Sequence, residues 1–352
     1  MSTVGRPRTN TNIQLGLAAL GSQAFHYLSS SIAPRTQQTY RSAWKAFNTF
    51  CTLHLIPWSP ITENKLIYFC THLAARRVSH QSIQVYLSGL SFYGTLHGSP
   101  FQVTSMNVLY LVLRGIRRSQ GNSLTRVRRA PITPRQLEQI RHYLVLHFTA
   151  HDRSMVWSAV TMAFFGLLRS AEYTSPSRCR RSDTALTLSD VLVCRNKILI
   201  NIRASKTDQF RQGTVIRLFR ISTILCPVQA AEEYLRFRNT EPGPFFQFAN
   251  GAYLTRYWLS EFLQRVFPTV NNINTHSFRI GGATAAASQR VSDSIIQTMG
   301  RWNSDCFQSY IRVSDVEIAR SQRNMAMARQ VDRIWDSEDL CSRDHTQHNL
   351  GR

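Results

Sequence analysis

Five positions within a 142-residue stretch carry side chains that together could open a phosphodiester bond: Arg169, Lys206, the pair His276 and Arg279, and Tyr310. Trp302 stands eight residues ahead of the tyrosine. The reaction has three needs: a nucleophile aimed at phosphorus, stabilisation of the charge gathering on the non-bridging oxygens, and a proton for the leaving 5′ oxygen. Tyr310 is the candidate nucleophile. A phenol has a reference pKa of ~10, so it attacks well only when its proton is taken or its oxyanion is stabilised. Arg169 and Arg279 are the candidate phosphate clamp, because a guanidinium is a planar fork that stays charged and makes two parallel hydrogen bonds. His276 lies three residues before Arg279, so on a helix both face the same way. It is assigned to hydrogen bonding the phosphate or to assisting removal of the tyrosine proton. Lys206 is the candidate general acid for the 5′ oxygen, with Lys197 as a nearby rival. Glu172, three beyond Arg169, is expected to orient the site from behind.

Singly, each has a plainer reading: a helix-start histidine, salt-bridge arginines, a solvated hairpin lysine, a packed tryptophan, one of twelve tyrosines. The ordered, complete set is what points to chemistry. Metal chemistry is not expected. His and Cys show no ligand spacing, and two arginines plus a lysine supply the positive charge that Mg²⁺ supplies elsewhere. No cofactor is expected either.

The elements that must position these residues follow from composition and periodicity. At 352 residues the chain has room for two ordinary domains. Its net charge of +22 is unevenly placed: residues 1–130 hold 14 Lys or Arg and one acidic residue, Glu63. So basic a segment calls for a polyanion, and a phosphate backbone fits best, so double-stranded DNA is the expected partner. The candidate DNA contacts are Arg41, Lys45, Arg76, Arg77, Arg117, Arg118, Arg126, Arg128 and Arg129. Seven scattered cysteines without a C-x-x-C pair read as reduced thiols. The N-terminus lacks an apolar signal region and the most apolar run, Met155 to Leu168, is too short to span a bilayer, so a soluble intracellular protein is expected.

Residues 1–30 read as a loose polar arm. Helices are expected from Pro34 (stripe Tyr40, Trp44, Phe47, Cys51), from Thr62, across Ile83 to Tyr93, and from about Ser105 to Arg118. Residues 119–130 are a basic connector whose arginines read either as a nuclear import signal or as a linker lying along phosphates. The second domain opens with the cap pair Thr133-Pro134, and a helix from about Arg153 to Leu168 is expected to deliver Arg169 at its end. Three strands are predicted at Val191 to Val193, Lys197 to Ile202 and Thr214 to Leu218, with a turn at Asp208 to Gly213 and Lys206 near the end of the middle strand. Gly281 and Gly282 fall inside a helix opened after His276. Ser314 and Glu317 predict a capping box, and the helix they open carries Met327, Val331, Ile334 and Trp335 on one stripe. Residues 336–352 are a polar tail.

Taken with Arg169, the segments His276-Ser277-Phe278-Arg279, Gly300-Arg301-Trp302 and Ser309-Tyr310-Ile311-Arg312 make the chain resemble a tyrosine recombinase, from about Pro34 to Trp335. Phe164 to Arg169 and Gly300 to Asp305 are similar to the branch carried by eukaryotic mobile elements, DIRS-like or Crypton-like. The resemblance implies a mainly α fold with a small antiparallel β-sheet. A helical core-binding domain (31–118) would be followed by the linker and an α+β catalytic domain (131–335). It implies DNA cleavage and rejoining through a 3′-phosphotyrosyl intermediate without external energy, in the nucleus, by monomers that assemble into a tetramer on paired sites. Trp302 would take the place where many relatives carry histidine, and the terminal helix would dock on a neighbouring protomer rather than join its own core. Two departures stand out: Trp302 and Tyr310 are one residue closer than in many bacterial relatives, and the first arginine follows Gly-Leu-Leu rather than Gly-Leu. Two other functions share the fold: a catalytically silent DNA-binding protein, and a type IB topoisomerase-like enzyme that relaxes DNA.

Overall fold

The computed structural model describes residues 16–121, 128–180, 182, 184–203, 213–313 and 315–327. The chain divides into two compact units, Met1–Arg126 and Val127–Arg352, and the division falls inside the basic connector. The first unit is helical: α1 Leu17–Ser30, α2 Pro34–Leu53, α3 Glu63–Ala75, α4 His80–Leu96 and α5 Asn107–Gln120. Pro34 opens α2 at a position where its missing N–H costs nothing. Thr62 and Ser79 cap α3 and α4 by accepting hydrogen bonds from the backbone of Lys65 and Ser82. Phe47, Phe69, Leu66, Ile83, Leu90 and Leu109 close the core between them. Residues 17–30, expected to be a loose arm, are helical instead. Their Leu-Ala-Ala-Leu start has the highest helix propensity available, which outweighs the polar residues that follow.

Glu63, the single acidic residue of the first 130, is not spent as a surface charge. Its Oε1 accepts from the Leu109 backbone N–H at 2.9 Å, filling a donor that the first turn of α5 leaves open.

The second unit holds α6 Pro134–His147, α7 Ala150–Phe165, α8 Ser170–Tyr173, a three-stranded sheet, α9 Pro227–Leu235, α10 Arg256–Val266, α11 Ser277–Ser288, α12 Asp293–Gly300, a 3₁₀ turn at Asp305–Tyr310, and α13 Asp315–Met327. Thr133 and Gln136 form a reciprocal capping box at the start of α6. Strands β1 Val191–Val193, β2 Lys197–Ile202 and β3 Thr214–Phe219 pair antiparallel in that order, with Ile200 opposite Val191 and Ile216. Ile198, Ile200 and Ile202 alternate inward and fix the register, since a slip by one would expose all three. Ser314, Val331, Ile334 and Trp335, of the predicted cap and terminal stripe, lie outside the described residues, as does the predicted turn as far as residue 212.

Two features of this unit decide where the site forms. Helix α7 stops at Phe165, short of the expected Leu168, because Gly166 ends it and Leu167 takes a left-handed φ of 45°. Arg169 is thereby delivered on an extended residue that caps α8 (φ −75°, ψ 144°), not on a helix end. The second feature is the approach of α11. A Cβ on Gly281 would sit 1.9 Å from the Ile132 carbonyl oxygen, and one on Gly282 would sit 2.3 Å from that of Phe164. Only glycines let α11 lie this close to the backbone of Ile132, through Gly281, and to the end of α7, through Gly282, and that closeness sets the start of α11 against the Gly166–Arg169 turn.

Candidate active site

Four segments meet here, the first far in sequence from the other three: the turn that ends in Arg169, the start of α11, the end of α12 and the 3₁₀ turn that ends in Tyr310. A small apolar cluster of Leu167, Ala283, Ile296, Trp302 and Phe307 holds them, with Tyr310 and Ile311 packed on its edge. Thr284 ties the tyrosine segment down. Its hydroxyl donates to the Tyr310 carbonyl at 3.3 Å and accepts from the Arg312 backbone N–H at 3.1 Å.

Arg279 lies at the centre, fully buried. One terminal nitrogen donates to the Leu167 carbonyl and the other to the Gly300 carbonyl at 2.6 Å, while Nε has no partner. Its guanidinium lies 4.1 Å from the Trp302 ring centre and 5.5 Å from that of Tyr310. A cation over an aromatic face is attracted by the ring quadrupole, so Trp302 serves here as a platform for Arg279. Burial, and next Arg169 and Arg301, lower the Arg279 pKa, with Glu172 opposing, and the group stays charged at neutral pH. The expected open fork is thus a keystone between two carbonyls, with Nε and the second hydrogen of each terminal nitrogen as its remaining donors.

Arg169 donates through its backbone N–H to Glu172 Oε2 at 2.8 Å and through its side chain to Oε1 at 3.2 Å. Glu172 is 2% exposed, so its oxygens are satisfied by protein partners and not by water. Those partners include Arg301, whose terminal nitrogens reach Oε1 and Oε2 at 3.1 and 3.0 Å.

His276 stands at the N-cap of α11, its backbone N–H held by Asn274 Oδ1 at 2.9 Å. Its ring lies 5.3 Å from that of Tyr310, and the Tyr310 ring lies 5.0 Å from that of Trp302. Burial, followed by Arg129, Arg279, Arg256 and Arg169, drives the His276 pKa down to about 4. The imidazole is therefore neutral at physiological pH with a lone pair free to accept, and the same shift makes it a weaker base than an ordinary histidine. Tyr173 completes the support: its buried hydroxyl donates to the Thr275 carbonyl at 2.8 Å, joining the Arg169 turn to the residue before His276.

Of the residues singled out in the sequence, Arg169, Glu172, His276, Arg279, Trp302 and Tyr310 come together in one unit, the tyrosine beside its own chain's arginine. Strand β2 ends at Ile202, short of Lys206, which lies outside the described residues. The rival Lys197 opens β2, paired with Phe219. Of the candidate DNA contacts, Arg41, Lys45, Arg76, Arg77, Arg117, Arg118 and Arg128 are exposed and Arg129 is half-buried and close enough to shift His276, while Arg126 lies outside the described residues. Sequence reasoning missed Arg301, Tyr173 and Arg256. Only Arg301 left a signal: it stands nine residues before Tyr310, where Trp302 is one short. No group of three or more His, Cys, Asp or Glu side chains gathers among the described residues.

Residues 24–96 match the family model described as the phage integrase N-terminal SAM-like domain. No curated protein matches in sequence. Among solved structures, the Tn1549 transposon integrase in complex with transposon right end DNA superposes with a TM-score of 0.56 at 12% identity, over 87% of this chain and 98% of that one. The XerH site-specific recombinase bound to palindromic difH substrate gives 0.53 at 14%, over 81% and 78%. A lambda integrase dimer bound to a COC′ core site gives 0.51 at 15%, over 85% and 77%. With its helical first unit, its three-stranded antiparallel sheet and its helical surround, this chain has the two-domain fold of the tyrosine recombinases.

Proposed function

We propose that this chain is a site-specific DNA recombinase that cuts and rejoins strands through Tyr310. One observation supports the reading above all: the Arg279 guanidinium lies against the Trp302 and Tyr310 rings, the His276 ring lies beside that of Tyr310, and Arg169 is near enough to lower the pKa of both Arg279 and His276. In the proposed reaction the Tyr310 oxygen attacks phosphorus as the bond to the 5′ oxygen breaks, leaving a 3′-phosphotyrosyl link and a free 5′-hydroxyl. Neutral His276 takes the phenolic proton. Arg169 and Arg279 stabilise the charge on the non-bridging oxygens. Lys206 supplies the proton to the 5′ oxygen. Because the link preserves a phosphoester, rejoining needs no external energy.

The DNA-bound state of the three solved relatives supports DNA as the partner. So do the exposed Arg41, Lys45, Arg76, Arg77, Arg117 and Arg118 of the first unit. Strand exchange would use four protomers on two duplexes, assembled from monomers and closed by cyclic symmetry. An origin in a eukaryotic mobile element, of the DIRS-like or Crypton-like branch, and work in the nucleus belong to the same proposal.

The test is a suicide substrate nicked near the cleavage point, which traps the covalent protein–DNA adduct. Wild type is expected to form the adduct and Tyr310→Phe to form none. An undiminished adduct with Tyr310→Phe would remove the nucleophile assignment. A wild-type protein that binds the DNA without any adduct would favour a silent DNA-binding protein.

A further inference from the structure

We propose that Arg301 is a positioning residue of the site, one that sets the spacing between the two phosphate-binding arginines without touching the phosphate. The inference rests on the recombinase reading above.

Arg301 follows the last residue of α12 in a left-handed conformation, φ 56° and ψ 49°. Side chains with a Cβ seldom adopt it, and where they do the surroundings must hold them there. Here the surroundings are a single polar node. The two terminal nitrogens of Arg301 span both oxygens of buried Glu172, and one of them also donates to the Leu167 carbonyl at 3.2 Å. Leu167 is itself left-handed, so two unusual backbone positions meet at this node.

Each partner of Arg301 is shared with one of the proposed phosphate ligands. Glu172 also accepts from Arg169, and the Leu167 carbonyl also accepts from Arg279. Arg301 therefore reaches both ligands through one intermediate each, and moving it would disturb both. Its side chain is 10% exposed, facing inward to the carboxylate. Its Nε has no partner, as with Arg279.

Charge supports the same view. Arg169 and Arg301 share the Glu172 carboxylate and Arg279 lies within reach of all three charges, so positive charge is in excess in a poorly solvated space, an arrangement that favours an incoming anion. A lysine at 301 would keep the charge but lose the fork. A point charge cannot hold two carboxylate oxygens and a carbonyl in fixed geometry. The distinction gives the test its discriminating power.

The experiment compares wild type, Arg301→Lys, Glu172→Gln and the double variant in the full chain. It measures DNA affinity and, at saturating nicked substrate, the first-order rate of adduct formation, with thermal melting as the folding control. Arg301→Lys is expected to melt as a folded protein and to bind DNA within about threefold of wild type. Its adduct rate should fall on the order of 100-fold, the scale of a misplacement near 1 Å. The double variant should react no slower than the slower single variant, because both act through one pair. An Arg301→Lys rate within threefold of wild type overturns the proposal. So do multiplicative losses in the double variant, or a loss confined to DNA affinity, which would make Arg301 a direct phosphate ligand. If Arg301→Lys fails to fold, Glu172→Gln decides, with a normal rate again overturning it. No adduct from wild type would instead sink the recombinase reading, a result distinct from any of these.

Discussion

Replacing Tyr173 by phenylalanine isolates one hydrogen bond at the base of the site. The Tyr173 ring is 2% exposed, and its hydroxyl is the atom that joins the Arg169 turn to the Thr275 carbonyl, at 2.8 Å. Burial, above all, raises the Tyr173 pKa, so the phenol keeps its proton and donates throughout the working pH range. Phenylalanine preserves the ring and its packing. What it removes is the partner of a carbonyl on Thr275, a residue with no exposed surface. An unsatisfied buried acceptor costs ~1–3 kcal/mol. For a unit of this size each kcal/mol lowers the melting temperature by about 2–4 °C, so a cost of about 2 kcal/mol, the middle of that range, gives a fall of roughly 4–8 °C. Calorimetry on the full chain should show the loss in the transition of the second unit, and the first unit's transition should stay in place. Because Thr275 directly precedes His276, adduct formation should slow as well, by about tenfold at saturating DNA. A melting temperature unchanged within 1 °C would show that the bond is replaced by water or is not made, and the reasoning would fail.

Three further outcomes can be checked. His276 should titrate near 4 in the free protein, read from its ring resonances by NMR. The folded form holds it neutral, whereas the unfolded chain takes up a proton near 6.5. Stability is therefore unaffected above that value and declines as pH falls from 6.5 toward 4. A titration at 6.5 or above would contradict the burial and the four arginines around it. Gly281→Ala should destabilise by about 1–3 kcal/mol or more, since its Cβ would meet the Ile132 carbonyl oxygen at 1.9 Å. Gly115→Ala, in the middle of α5 with nothing within 4 Å, should instead stabilise by roughly 0.5–1 kcal/mol. Denaturant melts that fail to separate the two would remove the close approach of α11 as the reason for its glycines.

Much of this protein was legible in the chain itself. The stripe of Phe47 and Cys51, the caps at Thr62 and Thr133, the three strands and the spacing of His276 and Arg279 are all local patterns. Period, cap chemistry and residue type act over a few neighbours, so a linear text records them. The charge asymmetry that points to a phosphate backbone is equally a property of composition. What the linear text did not contain was the geometry between segments. The helix at 17–30 was hidden by its polar residues, and the early end of α7 depended on a left-handed Leu167 that no pattern announces. Arg279 read as an open fork because its residue type is one; only packing against Leu167, Gly300 and Trp302 made it a buried keystone. Arg301 and Tyr173 gained meaning only when Glu172 and Thr275, from distant parts of the chain, came within hydrogen-bonding reach. Types of group are written residue by residue, but a hydrogen bond across more than 100 residues is decided by which surfaces pack together, and that depends on the whole fold.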